Sequence, residues 1–285
     1  MNQLVPADLD SISALCARGV RDAPTTEELA GALFAPDQPT VVLGDPSTGV
    51  VAVAECSDGP HVRLLVVDPA ERGRGHGHVL VAAAEDWARR TGHRALLTGA
   101  DPPYFLWPGV PSNETSLLCL FERRHYARTE TNFNMDVDLV ALPTDPGGYE
   151  LARPEDRDEV DSWMETHWSN WKAEVLRALD KGNLMISRDD ARDDDPEVRS
   201  GHQRGPISAF CAFEVNRAGV LGPVAVRPEL MGQGKGRAVL LGALHELRRR
   251  GQHTVSVVWI GPVVPYALVG GQVSDVYFVY RKELA

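Results

Sequence analysis

The spacing of apolar positions predicts one order of helices and strands, and this order occurs twice along the chain. Short apolar runs bounded by turn residues predict strands, whereas apolar positions three and four residues apart predict helices. In the first half the order is helices over 7–18 and 22–33, strands over 40–43, 49–55 and 61–67, a helix over 77–90, a strand over 95–98, a helix over 116–124 and a strand over 129–139.

The second half repeats that order after a segment rich in proline and glycine at 141–148, which has the composition of a linker. Its predicted elements are helices within 155–180, strands over 184–187, 207–215 and 219–226, a helix over 236–250, and strands over 254–260 and 276–282. An acidic run at 193–195 lies in a polar loop, where solvated carboxylates are more common than a metal site. The pattern therefore predicts two copies of one α/β unit.

A glycine-rich turn marks the same point in both copies. Its three alternate glycines recur at a constant offset of 159 residues, as Gly73 and Gly232, Gly75 and Gly234, and Gly77 and Gly236. The match runs without a gap from the preceding strand to the end of the following helix, which indicates an internal duplication. Near the ends the offset falls to 145, as between Phe133 and Phe278, and this predicts an insertion in the first half.

The order of strand, glycine turn and helix is typical of an anion-binding site. Backbone N–H groups in such a turn converge on one phosphate, and the helix N-terminus adds a partial positive charge. A Walker A loop is excluded, because Lys235 is followed by Gly236 rather than by serine or threonine. A dinucleotide-binding fingerprint is excluded as well, because His78 and Arg237 occupy the position of its third glycine.

The pattern that remains is [RQ]-x-x-G-x-[GA] between a strand and a helix. Residues 72–77 fit it fully, and residues 231–236 depart from it only at Met231. This resembles the acyl-CoA pyrophosphate loop of the GNAT N-acetyltransferase superfamily. The resemblance covers nearly the whole chain, and the tandem architecture is similar to that of mycothiol synthase, although no motif points to that enzyme's substrate.

The resemblance implies an α/β (α+β) fold with two tandem GNAT domains. Each would have a mixed, mostly antiparallel central sheet flanked by helices. The domains are predicted at 1–140 and 150–285, with a linker at 141–149.

The resemblance also implies acetyl-CoA as cosubstrate, held by both glycine turns and the strands before them. The residues expected to bind it in the second half are Val224, Ala225, Val226, Met231, Gly232, Gln233, Gly234, Lys235, Gly236 and Arg237. Their first-half counterparts are Val66, Val67, Arg72, Gly73, Arg74, Gly75, His76 and Gly77.

GNAT enzymes let an amine attack the thioester directly, and a tyrosine often protonates the departing thiolate. The family pattern [FP]-Y-x-x-x-G-[FAG] corresponds to residues 265–271, with Tyr266 as the acid. In the first half Phe121 stands at that position, and phenylalanine has no proton to give. The second half is therefore predicted to be catalytic, and the first half is predicted to be impaired but compatible with CoA binding.

The amine itself must lose a proton before it attacks, which calls for a general base. Glu214 at a strand end is the first candidate, and His167 is the second. Trp168 and Trp171 are candidates to flank a cationic acceptor through their ring faces, although packing in the core is the alternative.

Composition limits the classes of partner. The formal net charge of −11 argues against nucleic acid, because phosphate backbones favour basic surfaces. No uninterrupted apolar run approaches the length of a membrane span. The four cysteines form no C-x-x-C motif, which predicts reduced thiols in the cytoplasm, no disulfide framework and no metal site.

The leading hypothesis is an acetyl-CoA-dependent N-acetyltransferase that acts on a small-molecule amine. A catalytically silent acyl-CoA-binding protein, which would sense or regulate, is the alternative from another class, and Met231 and Phe121 support it. A third possibility is that both halves act on different acceptors. The sequence leaves open which amine is the acceptor, how long the acyl group is, and whether the protein is a monomer or a homodimer.

Overall fold

The last strand of each sequence repeat contributes to the unit that is built mainly from the other repeat. The computed structural model describes residues 1–35, 38–189 and 205–284. One compact unit consists of Met1–Phe133 and Asp275–Ala285, and the other of Asn134–Ser274. These units differ from the predicted domains at 1–140 and 150–285, because the later part of the end strand of each repeat belongs to the other unit. The acidic run at 193–195 lies outside the described residues.

The helices and strands follow the predicted order. In the first repeat they are α1 (Leu9–Gly19), α2 (Thr26–Phe34), β1 (Thr40–Asp45), β2 (Gly49–Cys56), β3 (Gly59–Val67), α3 (His76–Arg90), β4 (Ala95–Thr98), β5 (Val110–Pro111), α4 (Thr115–Arg123) and β6 (Ala127–Asp138). In the second repeat they are β7 (Glu150–Leu151), α5 (Arg157–His167), α6 (Lys172–Asp180), β8 (Leu184–Arg188), β9 (Ile207–Phe213), β10 (Val220–Val226), α7 (Lys235–Arg249), β11 (Thr254–Val257), α8 (Val263–Ala267) and β12 (Gln272–Glu283).

In the first unit β1, β2 and β3 form an antiparallel meander. β4 then runs parallel to β3, and the end of β12 pairs antiparallel with β4 through Arg281–Glu283. β2 carries a continuous apolar run at 50–54 because both of its faces are covered. Val51 and Val53 pack under α3, whereas Val50 and Ala52 pack against α1 and α2.

The second unit has the same arrangement. β7, β8, β9 and β10 are antiparallel neighbours, β11 is parallel to β10, and the end of β6 pairs antiparallel with β11. Its core lies on both faces of this sheet, one cluster around α7 and one around α5 and α6. The predicted fold, in which each unit has mixed, mostly antiparallel strands flanked by helices, is confirmed.

The start of α2 shows how local sequence sets an element boundary. Thr25 accepts a hydrogen bond from the Glu28 backbone N–H at 3.2 Å, and the Glu28 carboxylate accepts one from the Thr25 N–H at 2.7 Å. This reciprocal capping box satisfies two N–H groups that the helix cannot satisfy internally.

We expect Thr25→Ala to lower the free energy of unfolding by about 1 kcal/mol, since the cap is lost while the core is untouched. Urea unfolding measures this, with Thr25→Ser as the control that retains the hydroxyl. A Thr25→Ala midpoint equal to that of the wild type would contradict the capping role.

Candidate functional site

A cleft opens in the first unit where two parallel strands separate. β3 and β4 pair through His61 with Leu97 and through Val62 with Thr98, and their ladder ends there. The β2–β3 ladder is irregular at the same level and passes over Arg63. The edge of β3 from Leu64 to Val67 therefore faces a cavity of about 530 Å³ rather than a neighbouring strand. That volume suits a small-molecule or cofactor site.

The glycine turn forms one end of this cavity. Gly73 and Gly75 have φ of +78° and +89°, a left-handed conformation that favours glycine. Gly75 is the N-cap of α3, so the first N–H groups of that helix point out of the turn. A Cβ built at either glycine would meet no atom within 4 Å, which means that the surface of the turn is open. An anion can therefore approach the backbone closely.

Two arginines flank this turn. The Arg72 guanidinium donates to the Gly19 carbonyl oxygen at 2.7 Å, which ties the turn to the end of α1. The Arg74 guanidinium pairs with the Glu71 carboxylate at 2.9 Å. Of the predicted first-half residues, Arg74 does not line the cavity. The other seven line it, and they are Val66, Val67, Arg72, Gly73, Gly75, His76 and Gly77.

The second unit repeats the strand pair that lies beside this cleft. β10 and β11 pair through Val220 with Ser256 and through Leu221 with Val257, each 159 residues beyond the corresponding first-unit pair. The β9–β10 ladder is also irregular there, between Leu221 and Val224. Both sheets therefore separate at the same level.

The second glycine turn has nearly the same backbone as the first. Gly232 and Gly234 have φ of +82° and +84°, and Gly234 is the N-cap of α7. The side chains differ, because the Lys235 ammonium donates to the Arg188 carbonyl oxygen at 2.8 Å and lies 3.4 Å from the Asp189 carboxylate. Met231 is exposed, and Arg237 is exposed one position beyond the last glycine.

Phe121 and Tyr266, which occupy equivalent positions in the two repeats, have different surroundings. Phe121 is fully buried, stacks on Tyr280 with ring centroids 5.8 Å apart, and meets Tyr126 edge-on at 5.2 Å. The ring completes an aromatic core and offers no hydroxyl to the cavity that it borders.

Tyr266 lies in α8 and packs against the same apolar cluster as Val224 and Val226 of β10. Tyr266 therefore borders the same core as the strand predicted to align the acyl donor. Burial raises the pKa of Tyr266 to about 12. The hydroxyl therefore carries its proton throughout the neutral range and can donate it.

Glu214 closes the β9–β10 hairpin. Its carboxylate accepts hydrogen bonds from the Gly219 N–H at 3.0 Å and from the Gln252 side chain at 3.1 Å. Its backbone has φ of +46°, a turn conformation. These contacts favour a structural role for this carboxylate.

The remaining predicted residues of the second unit lie together at the end of α5. His167 is the last residue of that helix and is exposed. Trp168 and Trp171 stack on each other with ring centroids 5.2 Å apart and 15° between their planes. Both rings are partly buried against the cluster around α5 and α6. They therefore contribute to the core and keep part of their surface open.

Sequence reasoning missed several residues that border the cavity. Tyr277 is one, because it belongs to β12 and enters the first unit through the strand exchange. Arg63 is another: it is fully buried, and its guanidinium donates to the Asp101 carboxylate, to the Gln38 side chain and to the Ala32 carbonyl oxygen. The available signal was a charged residue inside an otherwise apolar strand.

Among the described residues, no helix has the length and apolar character needed to cross a bilayer.

Comparison with known proteins places the chain by sequence and by fold. Residues 8–103 match the sequence profile of the acetyltransferase (GNAT) family. No curated protein matches the chain significantly.

The solved structures that are similar over 99% of the chain include the following three. A GCN5-related glucosamine N-acetyltransferase region of a fungal multi-domain β-N-acetylglucosaminidase has a TM-score of 0.77 at 19% identity, and the chain covers 38% of that protein. A GCN5-related N-acetyltransferase from Sphaerobacter thermophilus has a TM-score of 0.67 at 21% identity, with 95% of it covered. A tandem GNAT protein from the clavulanic acid biosynthesis pathway has a TM-score of 0.70 at 16% identity, with 98% covered.

Proposed function

We propose that this protein transfers an acetyl group from acetyl-CoA to a primary amine of a small molecule, because residues 8–103 match the acetyltransferase (GNAT) family profile and the whole chain has the fold of tandem GNAT proteins. The observation that carries the proposal is the doubled arrangement of a separating strand pair, a left-handed glycine turn and a helix N-terminus. The net negative charge of the chain is compatible with a cationic amine as acceptor.

The donor would be held in the same way in both units. The pyrophosphate would accept hydrogen bonds from the N–H groups of the glycine turn and of the first helical turn. The pantetheine arm would lie along the free edge of β3 in the first unit and along Val224–Val226 of β10 in the second. Fixing the thioester there would lower the entropic part of the barrier.

In the reaction, the amine nitrogen attacks the thioester carbonyl carbon, a C–N bond forms and the C–S bond breaks. A backbone N–H of the donor strand would stabilise the developing oxyanion. The Tyr266 phenol would give its proton to the departing thiolate. The amine proton passes to a base, and here exposed His167 is more accessible than Glu214, whose carboxylate already accepts two hydrogen bonds.

The two units would divide the work. The second unit would perform the transfer, because it has Tyr266 where the first has Phe121. The first unit would bind acyl-CoA without transferring the acyl group. A silent acyl-CoA-binding protein is the second candidate function, and the observation that favours it is the 530 Å³ cavity in the unit that lacks this hydroxyl.

The test is release of the CoA thiol from acetyl-CoA in the presence of a panel of primary amines, including polyamines, amino sugars and amino acids. The proposal predicts thiol release that depends on the amine and a product heavier by one acetyl group in the mass spectrum. If acetyl-CoA binds but no amine in a broad panel is acetylated, the silent binding function replaces the enzymatic one.

The pH dependence of kcat provides a further prediction. The raised pKa of Tyr266, about 12, means that the acid is lost only as the pH rises through that value. With a good acceptor, kcat should therefore not fall between about pH 8 and about pH 10, where an unperturbed tyrosine begins to ionise. The raised pKa of Tyr266 would be contradicted if kcat of the wild type fell with rising pH in that interval and kcat of Tyr266→Phe did not.

A further inference from the structure

Three side chains able to bind a metal ion lie together at the β2–β3 hairpin of the first unit. Cys56 ends β2, Asp58 lies in the turn and His61 lies in β3, and their ligand atoms are all within 4.8 Å of one another. The hairpin register explains this proximity. Ala54 pairs with His61 and Cys56 pairs with Gly59, so Cys56 and His61 project from the same face of the two strands.

The hydrogen bonds of His61 fix which ring nitrogen carries the proton. Its Nδ1 lies 2.6 Å from the Gly99 carbonyl oxygen, and a carbonyl oxygen can only accept. Nδ1 therefore carries a proton and donates it to this carbonyl oxygen. The side chain is 2% exposed, so water does not compete for this contact. When a histidine binds a metal through one ring nitrogen, its other ring nitrogen typically donates a hydrogen bond of this kind.

The second ring nitrogen points into the cluster. His61 Nε2 lies 3.1 Å from an Asp58 carboxylate oxygen, with the Cys56 sulfur also nearby. In the neutral ring Nε2 carries a lone pair, and so do both of these neighbours. Three electron-pair donors therefore converge, and either a cation among them or a second ring proton relieves their repulsion.

We propose that Cys56, Asp58 and His61 bind one divalent ion of the zinc class. A sulfur and an imidazole nitrogen in one ligand set favour such an ion over Mg²⁺ or Ca²⁺. Binding displaces the Cys56 thiol proton to solvent, and the thiolate and the carboxylate then neutralise the two positive charges of the ion. Asp58 is more than half exposed, so water has access to a fourth coordination position.

The surroundings of the cluster support this assignment. The Gln38 side-chain amide lies 3.4 Å from the Cys56 sulfur, where it can donate to a thiolate. Gly99, which holds the imidazole, also lines the 530 Å³ cavity. The ion would thus join the hairpin to the cavity wall. This inference goes beyond the proposed acetyl transfer and does not depend on it.

The test is titration of the purified, metal-free chain with Co²⁺ without oxygen, followed by absorption spectroscopy. We expect sulfur-to-cobalt charge transfer and tetrahedral ligand-field bands that saturate at one ion per chain and disappear when Zn²⁺ is added. Cys56→Ser should abolish the charge-transfer band. Asp58→Asn, in an exposed turn, should weaken binding at least about tenfold. Cys119→Ser is the matched control, because it removes an exposed thiol elsewhere and should change nothing.

A second measurement guards against misfolding of a variant. Zn²⁺ should raise the Tm of the wild type and of Cys119→Ser but not that of Cys56→Ser, since an ion that binds only the folded state stabilises it. Circular dichroism shows whether each variant is folded before the ion is added. The proposal is overturned if Co²⁺ gives no charge-transfer band in the wild type, or the same band in Cys56→Ser.

Discussion

Replacing Tyr266 with phenylalanine is expected to lower kcat for acetyl transfer by about 10²–10⁴-fold, the range in which general acid catalysis contributes. The change removes one hydroxyl and keeps the ring that packs with Val224 and Val226 against the core of the second unit. The affinity for acetyl-CoA should stay the same, because the phenol would act on the departing thiolate rather than on the bound cofactor. Stopped-flow or steady-state thiol release measures kcat, and calorimetry measures the Kd.

The matched control is Phe121→Tyr, which places a hydroxyl at the equivalent position of the first unit. If chemistry takes place only in the second unit, this variant keeps the wild-type kcat and does not rescue Tyr266→Phe. Wild-type kcat in Tyr266→Phe would show that Tyr266 is a packing aromatic. Rescue by Phe121→Tyr would assign chemistry to the first unit.

Removing the carboxylate of Asp101 is expected to lower the free energy of unfolding by about 3–5 kcal/mol. Asp101 and Arg63 are both buried, and the aspartate is the anionic partner of the guanidinium. In Asp101→Ala the guanidinium keeps neutral acceptors such as the Thr40 hydroxyl at 3.1 Å, but its charge stays buried without compensation. Such a loss is a large part of the stability of an ordinary domain. Urea unfolding of the purified chain measures it.

The double variant Arg63→Met/Asp101→Leu provides the control for this pair. Replacing both charges with apolar side chains removes the uncompensated charge, so the double variant should be more stable than Asp101→Ala despite carrying one more substitution. If Asp101→Ala lowers the free energy of unfolding by less than about 1 kcal/mol, the buried ion pair contributes no more than an exposed one does.

The duplication is the part of the fold that the sequence predicts best. The offset of 159 residues recurs in the strand pairs beside both clefts, and in α3 and α7, which begin and end 159 residues apart. The offset of 145 recurs in β6 and β12, again at both ends. Such agreement arises because the glycine turn and the flanking apolar runs are local signals that each repeat carries in full.

The exchange of the end strands could not be predicted for the same reason. β6 and β12 descend from one strand, and both β4 and β11 offer an antiparallel edge of the same kind. Side chains that alternate between the two faces of a strand fit equally well at either edge. The pattern therefore does not indicate which repeat supplies the neighbouring strand. The sequence therefore places Tyr277 in the second domain, whereas in the structure it lines the cavity of the first unit.

Contacts distant in sequence account for the other residues that the sequence did not reveal. Arg63 and Asp101 are 38 positions apart, and so are His61 and Gly99. No periodic pattern links such pairs. The catalytic candidates are a different case, because a family motif rather than a pattern of contacts predicts the role of Tyr266 in α8.

Isothermal titration of acetyl-CoA into the chain measures whether both glycine turns bind acyl-CoA. Gly75 and Gly234 have left-handed backbones with open space around them, so alanine and glutamate variants share the same backbone strain and differ in bulk and charge. We predict two sites in the wild type and in both alanine variants, and one site in Gly75→Glu and in Gly234→Glu. A wild-type chain that binds no acyl-CoA would contradict the account.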